Sequence, residues 1–148
     1  MRRIIPGLRP ITDGLAEPAY ALARLVAGAF LVPHGAWKLF SFTGGTHAEM
    51  VDYFVSLNLQ PAELLVDLVG VVEFFGGILI ALGLLSRPAA ALAAISTGVA
   101  AFYVHLPLGF YVEGGGTEFA TLWTVVLLMI AVRGGGRISL DHWLGREI

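Results

Sequence analysis

The stretch from Leu64 to Leu85, LLVDLVGVVEFFGGILIALGLL, contains no Lys or Arg. Its length suits a single bilayer crossing, which takes about 20 predominantly apolar residues as a helix. It nonetheless carries Asp67 and Glu73. A carboxylate near the bilayer midplane costs roughly a few kcal/mol or more, so Glu73 is expected to face protein or water rather than lipid. At about 100° per residue, Gly70, Glu73, Gly77 and Ile80 share one stripe. Small residues on that stripe would let a neighbouring helix come close to Glu73. The rest of the chain can be read as a search for the group that meets Glu73.

The composition agrees with a membrane setting. Of the 148 residues, 57% are hydrophobic and 14% charged, against about 25% charged in a soluble domain. The length allows one domain, residues 1–148. There are no cysteines, which excludes a dithiol relay, a disulfide framework and thiolate metal sites. Basic residues are scattered, so nucleic acid is not an expected partner.

Met1 to Gly14 is polar and basic, with Arg2, Arg3 and Arg9, and reads as a cytoplasmic tail. A basic start before an apolar run also suits a signal peptide. No small-x-small cleavage site followed by a soluble domain appears, so a retained first helix is expected. It is placed at about 18–40, with Arg24, Gly28, Leu31, Gly35 and Lys38 on one face and Pro33 as a source of a kink. A turn at Thr43-Gly44-Gly45-Thr46 precedes a short amphipathic helix from His47 to Leu59, with Met50, Tyr53, Phe54 and Leu57 on one side. The second long helix is expected at 61–85, the third at 89–106 and the fourth at 117–132. Glu118 in the first turn of the fourth complements the helix dipole. A Gly-rich loop from Gly109 to Gly116 joins the last two. Ser139 is placed to cap a short terminal helix with Trp143 as an interfacial anchor. Gly114-Gly115-Gly116 and Gly134-Gly135-Gly136 lack the strand and helix context of a phosphate loop and read as turns.

The expected fold is therefore all-α, an integral membrane antiparallel four-helix bundle with a short interfacial helix between the first two spans. Arg2, Arg3, Arg9, Arg87, Arg133, Arg137 and Arg146 fall on one side of that topology and Lys38 on the other. By the positive-inside rule both termini are cytoplasmic.

Two polar constellations follow. Arg24 lies on the first helix and Glu73 on the antiparallel second, so the two are expected to form an intramembrane ion pair. Such a pair is read either as a register-fixing structural contact or as a functional one. The second group is His34, Lys38, Asp67, His105 and Glu118, with Glu63 nearby, all in the outer half of the bundle. Lys38 is open to a second reading, snorkelling to the outer surface. His34 and His105 at similar depth raise bis-His haem or a metal, but no ligand motif supports either, and no metal is expected.

Several of these residues recur as short motifs in fixed order: Arg24, then His34-Gly35-x-x-Lys38, then Glu73-x-x-Gly76-Gly77 with Gly83 and Arg87, then Gly136-Arg137-x-Ser139-x-Asp141. In that order, on four hydrophobic segments, they resemble the DoxX family over nearly the whole chain. Gly135-Gly136-Arg137 departs from the commoner Gly-Pro-Gly-Arg form. The resemblance implies a small four-helix protein of the bacterial inner membrane, and relatives are linked to quinone-dependent oxidoreductase and terminal-oxidase systems. It points to a membrane subunit of a larger respiratory or redox complex, or a homo-oligomer, with no intrinsic cofactor and a quinone as the candidate ligand of the outer polar group. Whether the chain is itself an enzyme stays open. The alternative is a small transporter or proton-conducting protein, since charges inside membrane helices also mark ion paths.

Overall fold

The computed structural model describes Gly7, residues 9–40 and residues 46–145. Arg2, Arg3 and Arg146 of the charge asymmetry, and most of the expected turn at Thr43-Gly44-Gly45-Thr46, lie outside the described residues.

The described chain is helical, without a strand. The elements are α1 (Arg9–Leu39), α2 (His47–Ser56), α3 (Ala62–Leu82), α4 (Ser86–Val99), α5 (Glu118–Arg133) and α6 (Leu140–Trp143). A π-helical stretch, Ala100–His105, and a 3-10 turn, Leu106–Leu108, continue α4. Three helices are long and apolar enough to cross a membrane: Arg9–Leu39, Ala62–Leu82 and the continuous run Ser86–Leu108. α5 has 16 residues, about 24 Å of helix, and falls short of that length. Four packed helices are present, and three of them meet the requirement for a span.

The helix ends have local causes. α1 begins nine residues before the expected start, taking in part of the segment read as a tail; Arg9 and Asp13 pair across one turn at 3.4 Å. α2 is held by a capping box in which Thr46 and Glu49 satisfy each other's backbone N–H. α3 stops at Gly83, whose φ of 71° is the left-handed conformation that lets Leu84 N–H return to Leu79 O at 2.9 Å. Ser139 caps α6 as the sequence indicated, its hydroxyl accepting from His142 N–H at 3.1 Å.

The long helices alternate in direction. α1 packs on α3, α3 on α4 and α4 on α5, while α1 and α5 touch little. The α1–α3 contact is made by glycines on both sides. A Cβ on Gly28 would run into the backbone of Gly77 and Ala81, and one on Gly35 into that of Gly70 and Phe74. The shared core is small-residue packing around Ala27, Ala89, Ala90, Ala93 and Ala94, with Leu31, Ile80, Leu127 and Ile130. Large apolar side chains point outward instead, among them Leu22 and Phe30 on α1, Leu68 and Phe75 on α3, Ile95 on α4, Phe102 on its π-helical continuation, and Leu122 and Val125 on α5. A soluble fold would bury these and expose polar ones. Lipid tails solvate such an exterior, and close approach of small residues then holds the helices together.

Candidate functional site

Glu73 sits about 14 Å from the Leu82 end of α3, at 1.5 Å per residue, and is 8% exposed. Its partner is Lys38, whose Nζ lies 2.6 Å from Glu73 Oε2. The same ammonium donates to His34 O at 3.2 Å. Gly70, one turn from Glu73, makes room for the pair: a Cβ there would meet Leu39 and the Cβ of Lys38. The shared stripe of Gly70, Glu73, Gly77 and Ile80 is buried, as its pattern implied.

The expected Arg24–Glu73 pair is therefore replaced by two separate arrangements. α1 ends at Leu39 beside Gly70, partway down α3, so Lys38 reaches Glu73 rather than an outer surface. Arg24, fourteen residues earlier on the same face, lies at the other end of α3 against Gly83. It is 4% exposed. Its Nη1 donates to Gly135 O at 2.6 Å, and its Nη2 to Ile138 O at 2.9 Å and Ala81 O at 3.5 Å. The guanidinium thus ties α1 and α3 to the segment after α5. Asp141 completes this knot. Its carboxylate accepts from Leu85 N–H at 2.8 Å and from Ser86 N–H and Oγ at 3.1 and 3.2 Å. Leu85 has a φ of 48°, a strained position for a branched residue, and the carboxylate holds it there at the start of α4.

The five residues assigned to an outer polar group have different neighbours. Lys38 is committed to Glu73. Asp67 is exposed, its Oδ1 3.8 Å from His47 Nδ1. His34 is exposed on the outside of α1. His105 Nδ1 donates to Gly115 O at 2.7 Å, and Glu118 Oε1 accepts from Val112 N–H at 3.1 Å, so both fasten the α4–α5 connection. Among the described residues no three His, Asp or Glu side chains are arranged to hold a metal ion.

One participant was not singled out by sequence reasoning. His47, the first residue of α2, donates through Nδ1 to Lys38 O at 3.0 Å. That oxygen can only accept, so Nδ1 carries the hydrogen. Asp67 and His47 thus gather at the backbone carbonyl of Lys38 and do not touch its ammonium or Glu73. Beyond Glu73, toward Gly83, α3 presents Gly77 and Ile80 to Gly28 and Leu31, and the contact is apolar. Capacity remains at the pair itself. Neither the third ammonium hydrogen of Lys38 nor Glu73 Oε1 has a hydrogen-bond partner among the described residues.

The family model for DoxX matches residues 19–106. That range holds Arg24, Lys38, His47, Asp67 and Glu73 and ends before Asp141. A Haemophilus influenzae protein described as uncharacterized is 29% identical over 130 residues, covering 82% of this chain and 87% of that protein. No solved structure matches.

Proposed function

This chain belongs to the DoxX family, and from that premise we propose that it is a membrane subunit of a quinone-linked redox complex, with Lys38 and Glu73 as the groups that meet the quinone headgroup. It is a multi-pass membrane protein whose apolar helices contact the lipid bilayer. The proposed setting is the bacterial inner membrane with the arginine-bearing turns inside, because Arg87, Arg133 and Arg137 share one end of the helices.

The observation that carries the reading is the buried Lys38–Glu73 pair, whose third ammonium hydrogen and Oε1 are not engaged by the described residues. A quinone headgroup offers carbonyl oxygens that take up protons on reduction. Lys38 would donate its third N–H to such an oxygen, and a carboxylate beside it would give and receive the proton. The chain holds no thiol, so electrons would come from a partner's cofactor.

The second reading, a transporter or proton conductor, needs polar side chains to continue from Glu73 toward the arginine end. The Gly77–Gly28 contact and Ile80 speak against it.

The test is saturable binding of a quinone analogue to protein purified in gentle detergent, with its co-purifying proteins identified. The comparison is Lys38→Met combined with Glu73→Leu, which removes both charges together. Affinity is expected to fall about tenfold or more, the worth of one charge-assisted hydrogen bond. No saturable binding in the wild type would end the quinone assignment. Purification without any redox protein would end the subunit assignment.

A further inference from the structure

A separate cavity of about 480 Å³ opens at the arginine end, lined by Glu17, Arg133, Gly136, Arg137, Asp141 and His142 among others. Its volume is in the range of small-ligand sites, about 300–1,000 Å³. Its two acids are already engaged. Glu17 accepts from Arg133 Nη2 at 2.7 Å through one oxygen and from Arg137 backbone N–H at 3.2 Å through the other. Both Asp141 oxygens are taken by Leu85 and Ser86. Its bases keep donors in reserve. Arg133 sits over the Tyr20 ring, its Cζ 3.9 Å from the centroid, while one Nη holds Glu17. The Arg137 guanidinium attracts the Glu17 carboxylate through space but, like the His142 ring, makes no hydrogen bond with the described residues. Gly136, at φ 71°, turns the chain so that Arg137 follows directly over Glu17.

We propose that this cavity binds a phosphate group, with an anionic phospholipid headgroup as its source. The guanidinium of Arg137 supplies the forked donor set that phosphate oxygens match, and Arg133 and His142 flank it. The lipid source is favoured by what adjoins the cavity. Val132, next to Arg133, is 81% exposed, and Val125 and Leu128 continue the same outward row on α5. That row would carry an acyl chain while the phosphate stays at the mouth. Trp143 is 80% exposed beside His142, where an interfacial aromatic belongs.

The experiment titrates the full chain in detergent with phosphatidylglycerol, phosphatidylcholine and glycerol 3-phosphate, reading bound lipid by native mass spectrometry and stabilisation by thermal denaturation. Wild type is expected to prefer phosphatidylglycerol over phosphatidylcholine. Arg137→Gln should lower that affinity about tenfold, with its lipid-free thermal midpoint unchanged because the side chain is exposed. Arg137→Lys, which keeps the charge and loses the fork, should fall between the two. Arg87→Gln, on the same side but outside the cavity, should match wild type. Weak glycerol 3-phosphate binding marks the lipid as the source. Glycerol 3-phosphate binding as tight as phosphatidylglycerol, and equally lost in Arg137→Gln, keeps the phosphate site and makes its ligand a soluble phosphoester. Equal losses in Arg87→Gln and Arg137→Gln, or no preference over phosphatidylcholine, would overturn the site.

Discussion

At the scale of single residues, two cations on one helix face have divided labour. Lys38 neutralises Glu73, and Arg24 collects carbonyls that helix ends and a turn leave unpaired. Removing one partner of a buried ion pair strands the other charge and costs about 3–5 kcal/mol, whereas replacing both with apolar residues is often neutral. Glu73→Leu and Lys38→Met are each expected to lower the thermal midpoint in detergent, and the double variant to recover most of the loss. Arg24→Leu combined with Glu73→Leu should show additive losses, because the two side chains do not share a partner. Recovery in that second pair, and none in the first, would reverse the assignment. The sequence made the buried stripe on α3 and the shared α1 face visible, since both are periodic. It could not rank Arg24 against Lys38 as the partner of Glu73. That choice depends on where α1 ends along α3, and Arg24's own acceptors, Gly135 and Ile138, are more than a hundred residues away in the chain. His47 was hidden for a similar reason: its role comes from α2 folding back on the end of α1, not from a local motif.

At the scale of elements, the α1–α3 contact depends on glycines that differ sharply in what surrounds them. Gly76 and Gly77 are neighbours on α3, both buried. A Cβ at Gly76 would find Ala89 O at 3.9 Å, ordinary contact distance. A Cβ at Gly77 would lie 2.7 Å from Gly28 O and 3.1 Å from Leu31 Cβ, so the two helices must part. Replacing glycine by alanine inside a helix gains roughly 0.5–1 kcal/mol of backbone preference. Overpacking costs about 1–3 kcal/mol or more. Gly76→Ala should therefore leave the thermal midpoint equal or slightly raised, and Gly77→Ala should lower it and weaken the Lys38–Glu73 contact one turn away. Equal behaviour of the two variants would mean that α1 does not approach α3 as closely as described. The hydroxyl contacts between α4 and α5 run on a different principle. Thr124 donates to Thr97, and Thr117 to Ala101 O in the π-helical stretch, so these helices are joined by hydrogen bonds as well as by alanine packing.

At the scale of the whole molecule, α5 is the short member of the four packed helices. Its 16 residues give about 24 Å of helix, against a hydrocarbon thickness of about 30 Å. Short spans are accommodated by local thinning and by snorkelling of flanking residues, and Arg133 closes α5 at the end shared with Arg87 and Arg137. Its outward row of Leu122, Val125, Leu128 and Val132 is as exposed as the lipid-facing rows of the three longer helices. An aqueous exposure of that row would leave an apolar strip in water, a costly arrangement. At the other end, Phe110 and Tyr111 sit in a loop closed by Thr117 N–H on Gly109 O and Glu118 N–H on Phe110 O, which prolongs the apolar surface beyond the first turn. α5 is therefore expected to cross the membrane as the fourth span. Cysteines introduced singly at Gly115 and Arg137 in the cysteine-free chain, probed with a membrane-impermeant thiol reagent in intact cells and in inverted vesicles, should label from opposite sides. Gly115 should react from outside, and Arg137, like a cysteine at Arg87, from within. Labelling of both from the same side would place α5 on the membrane surface and break the four-span architecture.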